Sequence, residues 1–398
     1  MATFSVRFLG CKVSYADAHA IREALLRDGH SEQNGADIAV VNTCCVTNEA
    51  LSKSRQAAAR AARTHRRVYI TGCGANLAGD GLAGLPENVT VVRRSSEDTP
   101  EFVAGDVGAI GCVQADARLD RVRAFVRVQD GCSFSCNFCV IPLVRGRSRS
   151  RSADAVLSEV RRRVGQGHRE VVLTGINLGC YRDRERGFTL ARLVREAGAT
   201  AGLRRLRLSS IEVNHVDDVL VHALRETPTV SRHLHVPMQS GDDRVLSAMG
   251  RRYTAATFLR RLEPLADFNL TTDVIVGFPA EDDDAFERTR EVVRAAGISK
   301  VHVFPYSPRP GTVTAAEDAV APAVKRRRGA TLRADSHEAC LRRWRTKLGA
   351  EDEVLVDRPG RGYGDDYSPW FLDGDVPVGE LVLATATRVT EEGIVGAV

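Results

Sequence analysis

The stretch Gly131-Cys132-Ser133-Phe134-Ser135-Cys136-Asn137-Phe138-Cys139-Val140 sets three thiols in a C-x3-C-x2-C spacing. Thiolates this close in sequence can hold one metal cluster between them, and their number decides which kind. A structural zinc site and a fully ligated 4Fe-4S cluster each take four protein ligands. Three cysteines leave one iron open, free to bind a substrate or cofactor. A zinc knuckle borrowing a distant fourth ligand, such as a histidine, is the competing reading, although zinc spacings usually come as paired C-x2-C units.

The surrounding chain narrows the setting. At 398 residues it exceeds the size at which a single core keeps growing, so two or three domains are expected. With 43% hydrophobic and 27% charged residues the composition is that of a globular protein. The opening Met1-Ala2-Thr3-Phe4-Ser5-Val6-Arg7 lacks the basic start and apolar run of a signal peptide, and no segment is apolar enough to span a membrane. Ten cysteines in such a chain point to a reducing, cytoplasmic compartment and to metal or catalytic roles rather than disulfides. The net charge of +5 is unevenly spread. From Gly349 onward eleven acidic residues face three basic ones, −8, which leaves +13 on residues 1–348. The positive field belongs to the earlier part of the chain, where phosphate contacts would be made.

Near the start, Phe4 to Gly10 alternates as a strand and runs into Cys11, with a helix from about Ala18 to Arg27. Asp37 to Asn42 is more uniformly apolar, as a buried parallel strand should be, and leads to Thr43-Cys44-Cys45. A helix from about Glu49 to Arg63 precedes a third strand, Arg67 to Thr71, which ends at Gly72-Cys73. Three βα units thus each place a cysteine just past a strand. In an open parallel sheet the carboxyl ends of the strands form the ligand-binding edge, so Cys11, Cys44 and Cys73 are expected to converge as a second cluster site. Cys45 is read as packing, since alternation turns it away from Cys44. Cys112, Cys180 and Cys340 have no partners in sequence and read as unligated thiols.

From Arg123 strands and helices alternate again. Six strands are expected, at Ala124–Val128, Val171–Thr174, Leu206–Ser209, His233–Val236, Thr272–Val276 and Val301–Phe304. Six βα units fit a partial (β/α)6 barrel with its site at the carboxyl strand ends. Those ends carry Gly175 and Asn177, Glu212, Gln239, Asp273 and Gly277, the polar and glycine positions that a cofactor pocket needs. Arg145, Arg147, Arg149 and Arg151 alternate with Gly and Ser just after the cysteine loop, where guanidinium forks suit phosphates. The basic segment Lys325 to Lys347 reads equally as a solvated helix closing the barrel. After Gly349, short β-prone runs separated by Gly, Pro and Asp fit a small β domain. The expected division is 1–120, an open parallel α/β domain; 121–348, the barrel; and 349–398, the β domain.

Gly10-Cys11-Lys12-Val13, Asn42-Thr43-Cys44, Thr71-Gly72-Cys73, Gln129-Asp130-Gly131-Cys132, Gln239-Ser240-Gly241, Gly277-Phe278-Pro279 and Tyr306-Ser307-Pro308-Arg309-Pro310-Gly311-Thr312 occur in this order. With the C-x3-C-x2-C loop they make the chain resemble the radical S-adenosylmethionine (SAM) methylthiotransferases along nearly its whole length. The resemblance implies a 4Fe-4S cluster on Cys132, Cys136 and Cys139, whose open iron chelates SAM and yields a 5'-deoxyadenosyl radical. It implies an auxiliary 4Fe-4S cluster on Cys11, Cys44 and Cys73 that handles the inserted sulfur, and a C-terminal TRAM domain, an RNA-binding β barrel. Gly175, Asn177, Glu212, Gln239, Asp273 and Gly277 would then belong to the SAM pocket.

Gly10-Cys11-Lys12-Val13, Leu173-Thr174-Gly175 with Gly179 and Tyr181, and Leu208-Ser209-Ser210-Ile211-Glu212 look most like the threonylcarbamoyladenosine tRNA branch. The implied substrate is tRNA, methylthiolated at C2 of the modified adenosine next to the anticodon, with an electron donor and a sulfur donor as further partners. Arg145, Arg147, Arg149 and Arg309 are the candidate substrate contacts, Arg309 for the threonyl carboxylate. Rival substrates are isopentenyladenosine tRNA and an aspartate of a ribosomal protein; a zinc-stabilised RNA-binding module without catalysis is the rival from another class. Ser14, Gly74 and Ala280 depart from the usual residues near the sites without removing a ligand, and the acidic tail is unusual for an RNA-binding domain.

Overall fold

The computed structural model describes residues 2–95, 97–108 and 122–398. These residues form two compact units. The first takes residues up to 108 together with Asp130–Arg149 and Ser307–Glu317; the second takes 122–129, Ser150–Tyr306 and Asp318–Val398.

The first unit is built on a parallel five-stranded sheet. Its strands are β1 (Thr3–Phe8), β2 (Ser31–Glu32), β3 (Ile38–Thr43), β4 (Arg67–Gly72) and β5 (Val89–Val91), in the order β2-β1-β3-β4-β5. Every residue of the central β3 is buried, which explains its unbroken apolar run. Helices α1 (Lys12–Arg27) and α4 (Thr99–Val107) pack on one face, where Phe4, Ile21, Leu25, Val40, Tyr69 and Val103 form a core. Helix α2 (Asn48–Thr64) covers the other face with Ala57 and Ala58 against Val41 and Ile70. Each of the larger aliphatic and Phe side chains contributes about 1.5–3 kcal/mol when fully buried, and both faces of the sheet carry such residues. Helix α1 begins six residues earlier than its apolar period indicates, because Cys11 occupies the N-cap and Val13 already packs. Short helices α3 (Cys73–Asn76) and α5 (Ile141–Arg145) complete the unit.

In the second unit all six expected strands are present: β6 (Arg123–Asp130), β8 (Glu170–Gly175), β11 (Arg205–Leu208), β12 (His233–His235), β13 (Asn269–Val276) and β14 (Lys300–Pro305). They pair in parallel as β6-β8-β11 and β12-β13-β14, and a parallel bridge joins Leu206 of β11 to Val230 just before β12. The two-residue strands Arg149–Ser150 (β7), Arg182–Asp183 (β9) and Phe188–Thr189 (β10) lie in the connections. Helices α6 (Ala153–Gly165), α7 (Leu190–Gly198), α8 (Asp218–Glu226), α9 (Asp243–Ala248), α10 (Ala255–Leu262) and α11 (Asp283–Ala295) alternate with the strands around one continuous apolar core. Ser152, Thr189, Asp217, Asp242, Thr254 and Asp282 each accept a backbone N–H at a helix start, satisfying donors that the helix leaves open. The basic segment forms α12 (Pro322–Arg345), and its Lys325, Arg328 and Trp344 are buried. Arg328 pairs with the buried Glu281, so part of the charge pattern serves packing.

The C-terminal residues close into a five-stranded barrel of β15 (Glu351–Arg358), β16 (Arg361–Tyr363), β17 (Pro369–Asp373), β18 (Leu381–Val389) and β19 (Ile394–Ala397) around Trp370. It is seated at the amino ends of the larger strands. Buried Glu170, at the start of β8, pairs with Arg205 and Arg207, whose guanidinium groups donate to the carbonyls of Glu353, Gly364 and Asp365. The carboxyl ends of the six strands stay clear of this junction.

Candidate functional site

The first unit gathers both cysteine sets. Parallel pairing sets Phe8 beside Asn42, Asn42 beside Thr71 and Thr43 beside Gly72, so Cys11, Cys44 and Cys73 follow three adjacent strands at one sheet edge. Two glycines make the approach possible. A Cβ on Gly10 (φ +131°) would stand 3.2 Å from Cβ of Cys44, and one on Gly72 (φ +84°) would stand 2.3 Å from Oδ1 of Asn42. Cys11 is exposed, Cys44 half-buried and Cys73 buried. Burial pushes the Cys73 thiol up to about 12, while Arg145 pulls the other way and the charges of Cys11 and Cys44 add to the rise. Burial likewise raises Cys44, with Cys11 contributing. The three sulfurs therefore lie within Coulombic reach of one another. Cys45 is fully buried against Leu77, Val140 and Val144, in keeping with a packing role.

The cysteine loop is shaped by its own backbone. Gly131 (φ +67°) has room for no Cβ, which would meet the carbonyl of Arg147 at 2.2 Å. Its N–H is bound by Asp130 at 2.8 Å, and the N–H of Cys132 donates to the carbonyl of Gly146 at 3.0 Å. Thr314 holds the far side, donating N–H and hydroxyl to the carbonyl of Asn137. Cys132, Cys136 and Cys139 are all half-buried.

Arg145 corrects the sequence reading. It is 8% exposed and donates Nε to Sγ of Cys73 at 3.0 Å, Nη2 to Asp17 at 2.8 Å and Nη1 to Asp130 at 3.0 Å. Burial alone would lower its pKa, but Cys73, Asp17 and Asp130 outweigh burial and hold it well above the usual guanidinium range. No fork remains for a phosphate. Arg151 is similarly engaged, by Glu159 and the carbonyl of Arg127, whereas Arg147 and Arg149 are exposed, although Arg149 also donates to the carbonyl of Arg145 at 3.2 Å and lies 3.7 Å from Asp130. Arg309 lies in the first unit. It is 1% exposed, its Nη1 reaches Oδ1 of Asn48, and its Nε and Nη2 have no hydrogen-bond partner among the described residues. Burial lowers its pKa, opposed by the charges of Cys45 and Cys44. Its charge lies within Coulombic reach of Cys44 and Cys45.

Asp17 was not legible as a functional residue. Its signal is an acid at helical spacing between Val13 and Ile21, on the buried side of α1. Gln129 is another: 1% exposed at the end of β6, it accepts the N–H of Asn177 at 2.8 Å and would stand 2.9 Å from a Cβ on Gly175.

In the second unit the expected cofactor residues lie at or just past the strand ends. Gly175 donates its N–H to Ser209 at 3.3 Å. Glu212 is 8% exposed and accepts from Asn214 and, at 3.5 Å, from Arg251. Gln239 takes a left-handed φ of +70° and donates its N–H to the carbonyl of Asp273, whose carboxylate lies 3.2 Å from His235. Gly277 (φ +73°) donates to Glu281, and a Cβ there would strike Lys325 at 2.4 Å. These contacts join Gly175 to Asn177 through Gln129, and Gln239 to Asp273; Glu212 and Gly277 have separate partners. Cys180 lies 3.3 Å from His215, Cys340 donates to the carbonyl of Ser299, and Cys112 lies outside the described residues.

The donor sets fit iron–sulfur clusters. Among the described residues, no group of three or more His, Cys, Asp or Glu is gathered as ligands of a single metal ion are. The auxiliary triad is instead accompanied by two cations, Arg145 bonded to Cys73 and Arg309 within Coulombic reach of Cys44, which complement an anionic, thiolate-held group.

Comparison with known proteins agrees. The profile of the Radical SAM superfamily matches residues 126–293, and that of Uncharacterized protein family UPF0004 matches residues 3–93. The threonylcarbamoyladenosine tRNA methylthiotransferase MtaB of Thermotoga maritima is 32% identical over 99% of this chain and 96% of its own length. The Bacillus subtilis enzyme of the same name is 35% identical over 82% of this chain and 79% of its own. A tRNA-2-methylthio-N(6)-dimethylallyladenosine synthase of Novosphingobium aromaticivorans is 32% identical over 99% and 97%. In fold the chain is similar to the radical SAM methyltransferase TsrM of Kitasatospora setae, with a TM-score of 0.55 and 13% identity over 79% of this chain and 77% of that one. The chain is an enzyme of the radical SAM methylthiotransferase family, which uses SAM and a 4Fe-4S cluster, and within that family it is most like the threonylcarbamoyladenosine tRNA methylthiotransferases.

Proposed function

We propose that the protein methylthiolates C2 of N6-threonylcarbamoyladenosine next to the anticodon of tRNA, in the cytoplasm. The observation that carries the reading is that both cysteine triads fall in one compact unit with Arg145 between them, bonded to Cys73 and to the Asp130 that opens the second triad's loop. Cys132, Cys136 and Cys139 would hold the cluster that, when bound, supplies the electron for cleavage of SAM to a 5'-deoxyadenosyl radical. Cys11, Cys44 and Cys73 would hold an auxiliary 4Fe-4S cluster beside which the sulfur is inserted, with Arg145 orienting Cys73 and Arg309 adding its charge within Coulombic reach of Cys44.

Gly175, Asn177, Glu212, Gln239, Asp273 and Gly277 would contribute to SAM binding. Their polar side chains and glycine positions at the strand ends would shape the pocket, and Gln129 fixes Asn177 for that role. Arg147 and Arg149, exposed on a chain segment with a positive field, would meet RNA phosphates. Along the sequence the domains would divide at about 120 and 348, with the cysteine loop at Asp130–Arg149 folded into the first compact unit, and the closed C-terminal barrel would be TRAM-like. An electron donor and a sulfur donor complete the reaction.

The test is anaerobic turnover of the reconstituted enzyme with threonylcarbamoylated and isopentenylated tRNA, followed by mass spectrometry of the nucleosides. Methylthiolation of the first and not the second is expected; the reverse preference, or activity only on a ribosomal protein, overturns the assignment.

A further inference from the structure

A cavity of about 350 Å³ opens in the first unit, and its wall includes Asn42, Thr71, Cys73, Arg93, Arg94 and Arg145. Its charge is unbalanced. The two carboxylates in the wall, Asp17 and Asp130, are both bound to Arg145, and Asp130 also lies 3.7 Å from Arg149. Arg93 and Arg94, just past β5, are exposed and add positive charge that those carboxylates do not offset. Deeper in, Asn42 is 1% and Thr71 0% exposed, and Oδ1 of the one and Oγ1 of the other have no hydrogen-bond partner among the described residues. Leaving such groups buried and unmatched is costly. The complementary ligand therefore carries a negative charge together with N–H or O–H donors.

We propose that this cavity receives the N6-threonylcarbamoyl substituent, with Arg93 and Arg94 on its carboxylate and with Asn42 and Thr71 on its ureido N–H and hydroxyl groups. The proposal rests on the substrate and auxiliary-cluster reading given above. Cys73, a ligand of that cluster, lines the cavity. C2 must come to sulfur held beside that cluster, and N6 is carried on the same six-membered ring as C2. A substituent on N6 thus hangs within reach of a hollow that begins at Cys73. The volume lies at the small end of ligand pockets, about 300–1,000 Å³, and suits a group of amino-acid size. An isopentenyl group would leave the same polar atoms unmatched, and sites built for polar groups can reject analogues lacking them by about 10⁴-fold or more.

The test is a binding cycle on the anaerobically reconstituted enzyme. Anticodon stem–loop RNAs carrying adenosine, threonylcarbamoyladenosine, its carboxamide (which neutralises the carboxylate) or isopentenyladenosine are titrated against wild type, Arg93→Gln/Arg94→Gln and Arg93→Lys/Arg94→Lys. Both positions are exposed, and iron content checks folding. Wild type should favour the carboxylate over the carboxamide by about tenfold to a hundredfold, the span of a hydrogen bond to a charged group. The Gln pair should erase that preference and the Lys pair should recover part of it. Equal weakening of all four RNAs by the Gln pair would assign the two arginines to phosphates and overturn the proposal, as would a carboxylate preference that survives in the Gln pair. A wild type that favours isopentenyl RNA overturns the substrate reading itself, and the cavity assignment with it.

Discussion

Arg145 donates its Nε–H to Sγ of Cys73 at 3.0 Å while its other two nitrogens hold Asp17 and Asp130. One buried cation thus ties a cysteine at the sheet edge to the base of the C-x3-C-x2-C loop. Removing one partner of a buried ion pair costs about 3–5 kcal/mol, because the remaining charge is left uncompensated. Arg145→Ala should destabilise the cluster-free protein by an amount in that range, and adding Asp17→Asn and Asp130→Asn should recover part of it. Chemical denaturation reads both. Arg145→Lys keeps the charge but loses the planar fork. In a background of Cys132→Ala, Cys136→Ala and Cys139→Ala it should lower the reduction potential of the auxiliary cluster, since hydrogen bonds to ligand sulfur tune such potentials; an EPR-monitored titration measures this.

The two triads should be separable. Cys132→Ala, Cys136→Ala and Cys139→Ala together should abolish SAM cleavage, whereas Cys11→Ala, Cys44→Ala and Cys73→Ala should leave cleavage and stop thiolation. The second variant should carry about half the iron of the parent, one cluster of two. Unchanged iron content would remove the auxiliary cluster from the account.

Only two of the four alternating arginines are exposed, so the salt dependence of RNA binding should track those two. Arg147→Ala/Arg149→Ala should flatten the slope of log affinity against log salt by about 0.7 per lost phosphate contact on single-stranded RNA. Arg151→Ala should leave the slope unchanged, because its guanidinium is held by Glu159 and a carbonyl. Filter binding over a salt series distinguishes them.

The C-terminal barrel should come loose at both ends of the pH scale. Burial alone would raise the carboxyl of Asp366, but Lys347 and Arg343 outweigh it and hold it below the usual carboxylate range. Its contribution is therefore present above the unfolded value, about 3.9, and is lost as pH falls through the lower folded one. Burial would lower Lys347, yet Asp366 and Asp352 raise it, so its contribution is full below about 10.4 and is lost as pH rises through the folded value. Thermal melts followed by fluorescence of Trp344 and Trp370 should show both limbs, and Asp366→Asn should flatten the acid one.

What the sequence determined on its own is local or periodic. Three ligands within eight residues share a loop whatever else the chain does, and an all-apolar run as short as Ile38 to Val41, rich in β-branched residues, fits a strand covered on both faces. Strands followed by cysteines imply a shared sheet edge because parallel βα units place their carboxyl ends together. The six strands from Arg123 onward follow from the same periodicity, and the ordered motifs carry the family. Two small strands of the C-terminal barrel, β16 and β17, are hard to read because they are only three and five residues long, one with Gly at its centre and the other with Pro at its start. The tertiary structure alone decided which arginines are free. Arg145 and Asp17 meet across 128 positions, and Arg309 and Asn48 across 261. An alternation of Arg and Ser looks the same whether its guanidinium groups face solvent or buried acids. Burial and pairing of charge depend on which distant segments fold against a residue, and no local pattern records that.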